Sequence, residues 1–127
     1  MSLEDGSLKN GSLEDDLFAL EEKFWPGDAE FYRTHLDEHC VVSFTEMAGS
    51  MPKEQIAGMI KEGQRWRDLK LARKGFYQPT ADVAIITYEV NATRDNGALH
   101  HANVSSVYVR RGDGWKMALH QQTPLPG

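Results

Sequence analysis

The sequence predicts a single α+β domain in which short N-terminal helices pack on a sheet built from the C-terminal half. Three observations carry that prediction. Apolar residues recur at helical spacing up to about residue 60. After Trp66 the chain becomes β-rich to its end, and the connections there are too short to hold a crossover helix.

The chain has 127 residues, of which 40% are hydrophobic, enough for one core and too few for two comfortable domains. The opening residues repeat a short polar phrase, SLEDG, SLKNG, then SLEDD, with little apolar surface to bury. Residues 1–11 therefore read as a frayed tail and residues 12–127 as the domain. Ser12 is a candidate cap, and Leu13, Leu17, Leu20 and Phe24 form the stripe of a first helix that stops at Trp25-Pro26-Gly27. Asp28 caps a second, striped by Phe31, Tyr32, His35 and Leu36. A strand follows near Cys40–Thr45, then a turn at Gly49. A third helix places Pro52 in its first turn, turns Ile56, Met59 and Ile60 inward, and stops at Gly63.

The remaining strands fall near Leu69–Gln78, Val83–Arg94, Ala98–Arg111 and Gly114–Thr123, joined as an antiparallel meander. A two-residue Asn96-Gly97 turn sets Tyr88 opposite Ser105 and Ala92 opposite His101; a three-residue turn would slip every partner by one. With the two-residue turn, one face carries Ala84, Ile86, Tyr88 and Val90 beside His101, Asn103, Ser105, Ala118, His120 and Gln122. The other carries Tyr108, Trp115, Met117 and Leu119, too apolar to be left in water, and is assigned to a homodimer contact.

Composition narrows the partners. A formal net charge of −5 with scattered basic residues leaves no footprint for nucleic acid. No apolar run is long enough for a membrane span and no secretion signal is visible, so the expected location is the cytoplasm. The sequons at Asn10, Asn91 and Asn103 are read as chance, and the single Cys40 excludes an internal disulfide. His35 and His39 lack the glutamate placement of a zinc-protease helix, so neither a metal nor any other cofactor is assigned.

Helices first and a hairpin-connected sheet behind, closed by NVSSVYVRRGDGWKMALHQQTP over residues 103–124, resemble the nuclear transport factor 2-like superfamily. The likeness is to its SnoaL-like branches, which include ketosteroid isomerase relatives, and it covers about residues 12–124. It implies a cystatin-like, cone-shaped α+β barrel around a pocket, with Ala118, His120 and Gln122 of the last strand turned into the cavity. It also places the relatives' oxyanion-stabilising acid at Ser105 and their general-base aspartate at Phe44, which cannot accept a proton. Phe44 at that place argues against dienolate isomerisation by that mechanism; Glu46 lies nearby but on the connection to Gly49.

His120, with His101 beside it, is the candidate acid or base, because imidazole titrates near neutrality. Tyr88, Asn103, Ser105 and Gln122 are candidate ligand-orienting groups, and Trp25, Phe44 and Trp66 candidate aromatic walls. The same residue types equally make a satisfied polar network and an ordinary core. Two functions stay open: a binder or enzyme for an apolar, ring-containing or polyketide-like small molecule, by isomerisation, dehydration or cyclisation, and a non-catalytic homodimerisation or sensing module with a vestigial pocket.

Overall fold

Helix α1 carries the stripe of Leu13, Leu17, Leu20 and Phe24 and spans Asp5–Phe24 in a computed structural model that describes residues 5–60, 66–112 and 114–126. It starts ahead of the cap expected at Ser12 and takes in residues 5–11. Extending an existing helix fixes one residue per hydrogen bond gained, whereas nucleation fixes several, so the polar segment can follow the striped one. Residues 1–4 of the expected tail lie outside the described residues. Leu17, Phe18 and Phe24 are buried.

Helix α2, Ala29–His35, begins where the sequence places it: Asp28 Oδ1 accepts from the Phe31 amide at 3.0 Å. Strand β1, Leu36–Ser43, opens directly at the end of α2 and ahead of the expected Cys40. The chain then turns between Phe44 and Met47, whose backbones are bonded to each other, and Gly49 sits inside a short strand β2, Ala48–Pro52. Helix α3, Lys53–Ile60, follows Pro52; Ile56 is buried, while Met59 is 52% exposed. Its expected stop at Gly63 lies outside the described residues.

The four long strands are β3 Trp66–Thr80, β4 Val83–Arg94, β5 Leu99–Arg111 and β6 Gly114–Pro124. They form the expected antiparallel meander. The six-stranded sheet has the order β2-β1-β6-β5-β4-β3. The chain leaves β2 through α3, restarts at the far edge and returns by hairpins, so β6 arrives alongside β1 in the same direction. The sheet is thus mixed instead of wholly antiparallel, and it stays open at β2 and β3 instead of closing into a barrel. Among the described residues no helix is long and apolar enough to cross a membrane.

The hairpin between β4 and β5 has the three-residue alternative. The Arg94 amide donates to the Ala98 carbonyl and the Gly97 amide to the Arg94 carbonyl, both at 2.8 Å. Gly97, at φ 91°, supplies the left-handed residue that such a loop needs. Tyr88 therefore faces Val104, and it is Thr87 that faces Ser105 and Asn91 that faces His101. Side chains alternate with period two, so this slip moves His101, Asn103 and Ser105 to the outer face and turns His100, Ala102, Val104, Ser106 and Tyr108 inward.

A second irregularity re-aims β6. Val107 pairs with Leu119 but Tyr108 pairs with Met117, leaving Ala118 as the extra residue of a bulge. Met117, His120 and Gln122 consequently share the inner face, with Leu119 outside. Tyr108 and Met117 are core residues, and Trp115 is half-buried against that core. Of the four residues assigned to a dimer face, only Leu119 points outward.

Candidate functional site

The helices and the inner face of the sheet enclose a cavity of about 570 Å³. Trp25 from the α1–α2 turn, Phe44 from the end of β1, Trp66 from the start of β3 and His120 and Gln122 from β6 all line it. His100 of β5 lines it too, in place of His101. Trp25 and Trp66 flank the His100 ring at centroid distances of 5.6 and 5.4 Å, and Phe44 meets His120 edge to face at 5.9 Å.

Beneath this wall lies Glu21, fully buried on α1. Its position one turn beyond Leu17 and one before Phe24 puts it on the helix's apolar stripe, which is the signal in the sequence that could have found it. Tyr88 and Ser106 donate to its Oε2 at 2.7 and 2.8 Å, and Tyr108 donates to its Oε1 at 2.5 Å. His120 Nδ1 stands 3.3 Å from Oε2. Burial pushes the Glu21 carboxyl up, but the hydrogen bond and charge of His120, then the Tyr108 and Tyr88 hydroxyls, outweigh it and hold the group below its ordinary value. Burial, then the Glu21 charge, push both tyrosines well above the ordinary phenol range, so they remain donors.

The protons in this network follow from counting. Ser106 has one hydroxyl hydrogen and gives it to Glu21, so at 2.9 Å from His120 Nδ1 its oxygen must accept. Nδ1 therefore carries a proton, and in the neutral ring Nε2 is bare. The Gln122 amide nitrogen donates to that bare Nε2 at 2.9 Å, and the Gln122 oxygen accepts from His100 Nε2 at 2.9 Å. One glutamine side chain spans the two histidines.

The other candidates are placed elsewhere. Tyr88 is completely buried below the cavity wall, its oxygen accepting from Trp25 Nε1 at 3.0 Å while its hydrogen goes to Glu21, so it holds the frame and not a ligand. His101 is on the outer face, paired with Glu89 at 2.5 Å. Ser105 donates to Thr87 Oγ1 at 3.3 Å on that same face, and Asn103 is exposed there. The inward serine is its neighbour Ser106, and the one-residue hairpin slip is the reason. Glu46 lies on the cavity's rim, in the turn after Phe44. Cys40 also lines the cavity; burial, then the Glu21 charge, push its thiol up to about 12, so it is a thiol at neutral pH and no nucleophile. His35 and His39 fall on α2 and β1, and no cluster of metal-ligating side chains occurs among the described residues.

Solved structures with this architecture include a candidate ketosteroid isomerase from Parabacteroides distasonis, 14% identical, with a TM-score of 0.67 over 86% of this chain and 85% of that one. The association domain of C. elegans CaMKII is 13% identical, with a TM-score of 0.69 over 92% of this chain and 96% of that one. An NTF2-like protein of unknown function from Prochlorococcus marinus is 15% identical, with a TM-score of 0.65 over 90% of this chain and 94% of that one. This chain has the nuclear transport factor 2-like fold. No family model and no curated protein matches its sequence. Within the nuclear transport factor 2-like fold the buried acid of this chain comes from α1, and the cavity residue at the end of β1 is the apolar Phe44.

Proposed function

We propose that this protein binds an apolar, ring-containing small molecule in the cavity and moves a proton on it, with His120 as the base. The observation that carries the proposal is the setting of His120: its ring lines the cavity with Nε2 at the Gln122 amide, while Nδ1 lies against Ser106 and the buried Glu21 carboxylate, which leaves Nε2 free to accept in the neutral ring. An imidazole backed in this way gains a proton at Nε2 and becomes an imidazolium beside Glu21, whose fully buried negative charge stabilises it.

The step begins when a carbonyl compound displaces the Gln122 amide. His120 Nε2 takes a proton from the carbon next to the carbonyl, the electron pair of that C–H bond becomes the C=C bond of an enolate, and the carbonyl π pair moves onto oxygen. His100 Nε2–H, freed from Gln122, donates to that oxygen. Return of the proton to another carbon completes an isomerisation; loss of a β-hydroxyl as water completes a dehydration; attack of the enolate on a second carbonyl completes a cyclisation. His120 and His100 are the catalytic residues of this scheme, and Glu21 and Ser106 position His120.

Ring-containing ketones that raise the melting temperature should exchange their α-hydrogens for deuterium in D2O faster with protein than without. His120→Gln should cut that exchange by about a hundredfold or more while leaving binding in place. Binding with no His120-dependent exchange would remove the catalytic part, and a melting temperature unmoved by the whole panel would remove the cavity reading.

A non-catalytic homodimerisation module is the second reading, and a row on the outer face supports it. Val41, Leu119, Val107, Ile85 and Tyr77 are register partners across five strands, and Val41 and Tyr77 are 42% and 65% exposed. A dimer through this row should dissociate on Leu119→Lys in sedimentation measurements; a monomeric wild type sinks that reading.

A further inference from the structure

Arg94 ends β4 at the mouth of the cavity, immediately before the three-residue hairpin loop. Its guanidinium carbon lies 4.9 Å from the Trp66 ring centroid. Trp66 is itself anchored, its indole N–H donating to the Trp25 carbonyl at 3.0 Å, and Trp25 is anchored to Tyr88 and through it to Glu21. A run of fixed groups therefore leads from the buried carboxylate to a cation on the rim.

The other arginines with an assigned partner are all used in ion pairs: Arg33 with Glu54, Arg73 with Asp15, Arg110 with Asp82 and Arg111 with Asp37. Among the described residues Arg94 has no such carboxylate. The guanidinium carbon sits over the Trp66 ring, a contact made through the π face that uses none of the N–H donors, so the fork that grips a carboxylate stays available. Most of the cavity surface is apolar, and the rim carboxylate Glu46, on the turn after β1, bears the same sign as a ligand acid.

We infer that the ligand of this cavity is an apolar acid, whose ring system lies along Trp25, Trp66 and Phe44 and whose carboxylate is gripped by Arg94 at the mouth. This deepens the cavity reading above and rests on it. It also orients the ligand: the end held by Arg94 stays at the rim, and the opposite end reaches inward to His120. With a net charge of −5 the protein as a whole does not attract anions, so acid selectivity comes from this one cation and is sensitive to salt.

The test uses two probes of equal shape, 2-naphthoate and 2-naphthamide, titrated calorimetrically into wild-type protein, Arg94→Gln and Arg94→Lys. The expected result is that wild type binds the acid about tenfold more tightly than the amide. Arg94→Gln abolishes the preference while keeping the amide affinity, which also reports that the variant is folded. Arg94→Lys retains only part of it, because an ammonium lacks the planar fork. Equal or weaker binding of the acid by wild type, or a preference that survives Arg94→Gln, overturns the inference and leaves the cavity reading standing. Failure of both probes to bind overturns the two together.

Discussion

His120 Nδ1 and Glu21 Oε2 lie 3.3 Å apart, and Ser106 Oγ joins them at 2.9 and 2.8 Å. The pair connects the last strand to the first helix through one hydroxyl. A buried carboxylate is costly unless its acceptor sites are filled, and here two tyrosines, a serine and a histidine fill them. The same bonds that make Glu21 tolerable in the core fix the imidazole that faces the cavity.

Glu21→Gln should destabilise the protein by about 3 kcal/mol, because an amide supplies one acceptor oxygen and a competing donor to a site built of donors. Urea denaturation followed by tryptophan fluorescence measures it. An unchanged midpoint would mean that the network contributes nothing to folding.

The acid limb of the stability curve should belong largely to Glu21. Its folded carboxyl sits below the ordinary value of 4.5, so its contribution is complete above that pH and is lost as pH falls through the folded value. The stability gap between wild type and Glu21→Gln should therefore narrow with acidification below about 4.5. A gap that stays constant down to the acid transition would contradict this.

Tyr88→Phe removes one donor from Glu21 and the acceptor of the Trp25 indole N–H. The expected loss is about 1–2 kcal/mol, and the Trp25 indole proton resonance should move. No shift of that resonance would place Trp25 in a different contact.

On the outer face, the Glu89 hydrogen bond, outweighing partial burial, raises His101 above its ordinary 6.5, while His101 lowers Glu89 below 4.5. The histidine's contribution is fully present below pH 6.5 and is lost as pH rises through its folded value. The carboxylate's is present above 4.5 and is lost as pH falls through its own. An NMR titration of His101 should give a midpoint above 6.5 that drops in Glu89→Gln.

Much of the architecture was legible because it depends on local signals. The stripe from Leu13 to Phe24, the Asp28 cap and the short connections after Trp66 determined the α+β class, the element order and the antiparallel meander. Of the residues singled out in the sequence, His120, Gln122, Trp25, Phe44 and Trp66 line the cavity.

Which other residues join them was decided only in three dimensions. Strand side chains alternate with period two, so the choice between two and three residues in the Asp95–Gly97 loop exchanged His101 and Ser105 for His100 and Ser106. The bulge at Ala118 likewise brought Met117 inside and left Leu119 alone of the expected contact residues on the outer face. Glu21 was written into the sequence as an acid on an apolar stripe. Its role required partners from β4, β5 and β6, because a buried charge takes its meaning from the donors that the fold gathers around it.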